Sequence, residues 1–180
     1  MSPHDRLAAL KSLLHDSCAP VRCLALRHLH ATRNDEATIA QLVSMISDPN
    51  AEVCYEAAQA LVRTPPPHGI SAALLMNLLA SDPLRQRAAC ALLASDPMPR
   101  WAQVLGVMVR EDPDSKVRAS AARALNQLLP DPIAVEEVFQ GLCAPRIEEA
   151  QDNLAEIWTL LAAGLIAHVE QPAVRAQIVW

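Results

Sequence analysis

Val117-Arg118-Ala119-Ser120-Ala121-Ala122-Arg123-Ala124-Leu125 is the stretch that decides the fold, because the chain contains three earlier versions of it. They begin at Val21, Val53 and Leu84, so successive starts lie 32, 31 and 33 positions apart. Each copy follows a turn aspartate: Asp16, Asp48, Asp82 and Asp112. A fixed period of this length, with helical patterning inside each copy, predicts a stack of helix pairs.

The helix preceding each copy supports this. Ile39, Leu42, Val43 and Ile46 stand at i, i+3, i+4 and i+7, which places four apolar side chains on one helix face. The pattern returns as Ser71, Leu74, Leu75, Leu78, then Trp101, Val104, Leu105, Met108, then Val135, Val138, Phe139, Leu142. The unit is therefore an outer helix with an apolar stripe, a short turn, and an alanine-rich inner helix whose small side chains permit close approach. The first helix is expected to open with Ser2 as cap and Pro3 at its first position, and the second outer helix near Asn34-Asp35-Glu36. After Pro130 the pattern changes: a fifth outer helix over about 132–143, then a longer helix from about Arg146 to Val169 bearing Glu148, Glu149, Asp152 and Glu156. Gln171-Pro172 ends it, leaving a tail whose Val174 and Ile178 are placed to pack back.

The expected architecture is all-α: a right-handed α-solenoid of stacked antiparallel helix pairs, with nine or ten helices and no strand. Residues 1–130 supply four repeats, and residues 131–180 form a divergent acidic cap within the same domain. At 180 residues, folding buries roughly 70% of the unfolded surface. Most of the fourteen prolines fall between the periodic segments, where they end one helix and begin another.

Net charge is −5, divided unevenly: +1 over residues 1–130 and −6 over 131–180. That balance disfavours a protein that coats nucleic acid. The five cysteines form no Cys-x-x-Cys pair, and Cys23, Cys54 and Cys90 lie inside the repeated helix. Reduced thiols in a cytoplasmic protein are the expectation. The most apolar run, Ile157 to Val169, is too short for a bilayer core of ~30 Å, so no membrane association is expected.

The repeated unit resembles a HEAT repeat, and more narrowly the short bacterial form also seen in phycobilin-lyase-like proteins. The residues that carry the resemblance are Asp112, Val117, Arg118, Ala121 and Leu125, with their counterparts in the other copies. It covers residues 1–129 well and 130–170 loosely. It implies an Asp–Arg ladder joining repeats through Asp16, Asp48, Asp82 and Asp112 with Arg22, Arg85 and Arg118, interrupted where Cys54 replaces arginine. It also implies macromolecule binding along the inner helices. Deoxyhypusine hydroxylases share the architecture and hold metals with His-Glu pairs. The matching positions here read Cys23-Leu24, Tyr55-Glu56, Gln86-Arg87 and Ala119-Ser120, so no metal or other cofactor is expected. HEAT-like DNA glycosylases use a basic cleft with aromatics. Trp101 aligns with the apolar stripe instead and is expected in the core.

No catalytic constellation is visible. The six histidines do not stack at ligand spacing, and no Ser/His/Asp set or phosphate-cradling glycine loop stands out. If the first, fifth and ninth positions of the inner helix are buried, the third, fourth and seventh face outward. That row gives Cys23 and Arg27, then Tyr55, Glu56 and Gln59, then Gln86 and Arg87, then Ser120 and Arg123. Arg27, Tyr55, Glu56, Gln59, Arg87, Ser120 and Arg123 form the expected partner-binding set, because Tyr and Arg are favoured interface anchors. The functional expectation is a non-catalytic protein-binding scaffold or assembly adaptor. Its partner would be another protein, presenting an acidic or amphipathic helical segment, with nucleic acid not expected. An enzyme or chromophore-lyase-type helper, and a nucleic-acid binder, are the rival classes.

Overall fold

The computed structural model describes residues 3–29, 36–143 and 154–178 of the chain. Ser2, Asn34-Asp35, and Glu148, Glu149 and Asp152 lie outside the described residues, so the expectations placed on them do too. Among the described residues there are eleven α-helices, one 3-10 turn and no strand. The chain falls into two compact units, residues 1–92 and 93–180.

The first unit holds α1 (Pro3–Leu13), α2 (Ala19–Leu29), α3 (Glu36–Met45), α4 (Ala51–Arg63) and α5 (Ala72–Leu79). It also includes the first ten residues of α6 (Pro83–Ser95), which ends just past the boundary. Helix α1 packs on α2, α3 on α4, and α2 on α4. Two helix pairs thus lie with their inner helices side by side. The core is the inner-helix pattern made solid: Val53, Cys54, Ala57, Ala58 and Leu61 are buried on α4, as are Leu26 and Leu29 on α2, Leu42 on α3 and Ile46 just after it. Ser71 departs from its expected place in an apolar stripe. Its side chain accepts from the Leu74 N–H at 3.3 Å, capping α5, while Leu75 and Leu78 carry the buried face.

The second unit holds a 3-10 turn (Pro99–Trp101), α7 (Ala102–Glu111), α8 (Ser115–Asn126), α9 (Pro132–Cys143), α10 (Leu154–Ala167) and α11 (Pro172–Ile178). Helix α7 packs on α8 and α9, and α10 on α8 and α9. The tail forms a helix of its own, α11, which seats Val174 in the core against α9, so the helix count exceeds the nine or ten expected. Trp101 is buried, as expected of a stripe residue.

Two glycines and two polar side chains fix the close contacts of this unit. A Cβ on Gly106 of α7 would fall 2.6 Å from Cδ and 2.9 Å from Cβ of Glu137 on α9. Glu137 is itself buried and pairs with Arg110 at 2.5 Å. On the other side, Asn126 of α8 donates to the Leu160 carbonyl at 2.6 Å, lying where a Cβ on Gly164 would meet its Oδ1 at 2.5 Å.

The turn aspartates share one task. Asp16, Asp48 and Asp112 each accept the N–H two residues on, at 2.7, 2.8 and 2.9 Å, an Asx turn that sets up the next helix. Asn50 and Asp114 then cap α4 and α8. In the third repeat the turn is shorter, and Asp82 does both jobs by accepting from Leu84 and Arg85 at 3.1 Å.

The Asp–Arg ladder is present in one full rung. Arg22 donates to the Asp16 and Ser17 carbonyls of its own turn, and through Nε and Nη2 to both oxygens of Asp48 in the next. That bidentate pairing raises the guanidinium pKa further. Arg118 repeats the first half only, donating to the Asp112 and Pro113 carbonyls. Its Nε and Nη2 have no partner among the described residues, although the residue is only 3% exposed. Burial pushes the Asp112 carboxyl up, outweighing the opposing pull of the Asp114 N–H and of the nearby Arg118 charge.

At Cys54 the interruption is repaired from the following repeat. Arg85 bonds its own Asp82 at 2.6 Å and reaches back to the Asp48 and Pro49 carbonyls at 2.6 and 2.9 Å. These are the carbonyls an arginine at position 54 would have used. The buried Cys54 thiol stays protonated, its pKa pushed up to about 11 by burial.

Candidate partner-binding face

An inner helix that buries its first, second, fifth, sixth and ninth motif positions turns the fourth and seventh outward, with the third beside them. On α4 this leaves Tyr55, Glu56 and Gln59 half-buried along one side. Helix α2 offers Arg27, whose Nε and Nη2 both donate to Glu56 Oε1, at 2.8 and 2.6 Å. Its side chain is 61% exposed against 19% for Glu56. The Glu56 hydrogen bond and charge raise the Arg27 pKa. Helix α6 offers Arg87, whose guanidinium carbon lies 5.1 Å from the centroid of the Tyr55 ring, within cation–π range. An ion pair therefore ties α2 to α4, and a stacked arginine ties α6 to α4.

The seven expected residues divide between the units. Arg27, Tyr55, Glu56, Gln59 and Arg87 belong to residues 1–92, whereas Ser120 and Arg123 lie on α8 in the other unit. Ser120 donates to the Lys116 carbonyl of its own helix at 2.8 Å, and Arg123 pairs with Glu156 of α10.

Two expectations about the row are corrected. Cys23 is 6% exposed, not outward, and its thiol is held neutral by burial and by the charges of Glu56 and Glu52. Leu24 faces solvent instead at 55%. The signal was available: Leu24 holds the fourth motif position, filled by Glu56, Arg87 and Ser120 in the other copies. The row is also less basic than its composition suggests, because Arg27 and Arg123 already hold carboxylates. Arg87 has no carboxylate among the described residues, and its Nε is buried without an acceptor.

Among the described residues, no helix is long and apolar enough to cross a membrane. All five cysteines are free, with Cys18 and Cys143 exposed.

Residues 7–85 match the family model for HEAT repeats. No curated protein and no solved structure matches the chain significantly.

Proposed function

With residues 7–85 being HEAT repeats, we propose that this helical repeat scaffold is a non-catalytic protein-binding or assembly adaptor. Its docking face is the solvent side of α2, α4 and α6, centred on Tyr55 and Arg87. The observation that carries the reading is the arginine stacked on the chain's only tyrosine, at the centre of a half-open face. Tyrosine and arginine presented with little freedom are efficient anchors, since less side-chain entropy is lost on docking. The partner presents an acidic or amphipathic helical segment. The five free cysteines, three of them buried, support a cytoplasmic location.

The test pairs two variants of the intact chain against a partner recovered from native lysate. Tyr55→Ala with Arg87→Glu is expected to weaken that partner's binding at least tenfold, about 1.4 kcal/mol, while the chain still melts cooperatively. Charge reversal at Glu148 and Glu149 is expected to change it less than threefold, since rim charges contribute little. Loss of binding in the second variant alone would move the interface to the acidic segment.

A further inference from the structure

We infer that this face receives a single carboxylate, from a glutamate or aspartate on an amphipathic helix of a partner protein, and that Arg87 is its receptor. The inference deepens the proposed function and rests on it.

Three arginines were available to meet acidic groups, and two are occupied. Arg27 spends both Nε and Nη2 on Glu56, and Arg123, in the other unit, holds Glu156. Arg87 differs in three respects. Its guanidinium carbon lies 5.1 Å from the centroid of the Tyr55 ring, its Nε is buried without an acceptor, and its terminal nitrogens bond no described residue. A guanidinium held over an aromatic ring loses less freedom when a carboxylate takes its fork.

The surroundings limit how much negative charge the partner can bring. Residues 1–92 carry eight basic and eight acidic side chains, so the unit offers no positive field to a phosphate backbone. Glu52, exposed on α4, stands one turn before Glu56. A run of acids laid along α4 would meet both. One acid on Arg87 avoids this repulsion. The apolar complement is present as well. Leu24 is exposed one turn from Arg27 on the same side of α2, and it adjoins Cys23, which feels the charges of Glu52 and Glu56. A helix with one acid flanked by apolar residues matches that combination.

The experiment selects a display library of helical peptides, randomised along one face, on the intact chain. Wild-type binders are counter-selected against Tyr55→Ala/Arg87→Glu, and every variant is checked for a cooperative melt. Enriched peptides are expected to share one Asp or Glu accompanied by apolar residues. Changing that acid to its amide should weaken binding to the wild type at least tenfold, but less than twofold to Arg87→Gln. Arg87→Lys should recover only part of the loss, because it keeps the charge without the stacked plane. Enrichment of acidic runs, of peptides without an acid, or of binders displaced by single-stranded oligonucleotide would overturn the inference while leaving a docking face. So would an equal response to the amide change on wild type and Arg87→Gln. If no binder is lost on the counter-selecting variant, the docking face itself is wrong.

Discussion

Gly106→Ala is expected to destabilise the 93–180 unit by about 3 kcal/mol, the largest effect of any single added methyl in that unit. The new Cβ would enter space held by Glu137, within 2.9 Å of that residue's own Cβ, an atom that cannot swing away as a side-chain tip can. The carboxylate end has no easy alternative, because Glu137 is buried and holds Arg110 at 2.5 Å. Relieving the clash means parting α7 from α9 or breaking a part-buried ion pair, and each costs on the order of 1–5 kcal/mol. Urea unfolding of Gly106→Ala, Glu137→Ala and the double variant checks the cause. The double variant should be more stable than additivity allows by at least about 1 kcal/mol, since Glu137→Ala removes the obstruction. Strict additivity would mean that α7 and α9 tolerate the methyl elsewhere.

The second large effect lies in the ladder. Arg22→Met is expected to cost about 3 kcal/mol, because it strands the buried Asp48 carboxylate with only the Asn50 N–H and leaves two turn carbonyls unmet. Arg118→Met keeps the packed stem and removes two bonds to carbonyls, but it also removes two donors that have no partner among the described residues. These opposing terms leave a net loss within about 1 kcal/mol. Arg118→Ala, which also opens a cavity, should fall at about 1–3 kcal/mol. Cys54→Arg, which the repeat pattern alone would tolerate, is expected to be destabilising. Arg85 already occupies the Asp48 and Pro49 carbonyls, and Arg22 already holds the Asp48 carboxylate. Thermal melts of the four variants give the ranking, and equal losses for Arg22→Met and Arg118→Met would refute the distinction.

These two sites also show what could be read from the chain beforehand. The helix pairs, the core role of Trp101 and the aspartate turns were legible, because apolar spacing, prolines and Asx turns act within a few residues of themselves. The repair at Cys54 was not legible. It depends on how far α6 is displaced along α4, which brings Arg85 back to residues 36 and 37 positions earlier. Gly106 against Glu137 and Gly164 against Asn126 are also contacts between helices whose mutual depth the sequence does not state. On the docking face, the outward register of Tyr55 and Glu56 followed from periodicity. The neutralisation of Arg27 did not, since its partner stands 29 positions away on a neighbouring helix. With Arg123 held by Glu156 as well, that leaves Arg87 as the arginine of the row without a carboxylate among the described residues.

Site-specific photo-crosslinking tests the central claim most directly. A benzophenone side chain replaces Leu24, exposed on α2, or Gln140, exposed on α9 of the other unit, and each chain is irradiated with the partner recovered from lysate. Docking on the α2–α4–α6 face predicts a crosslinked product from position 24, lost when Tyr55→Ala and Arg87→Glu are added, and none from position 140. A product from position 140 with none from position 24 would contradict it.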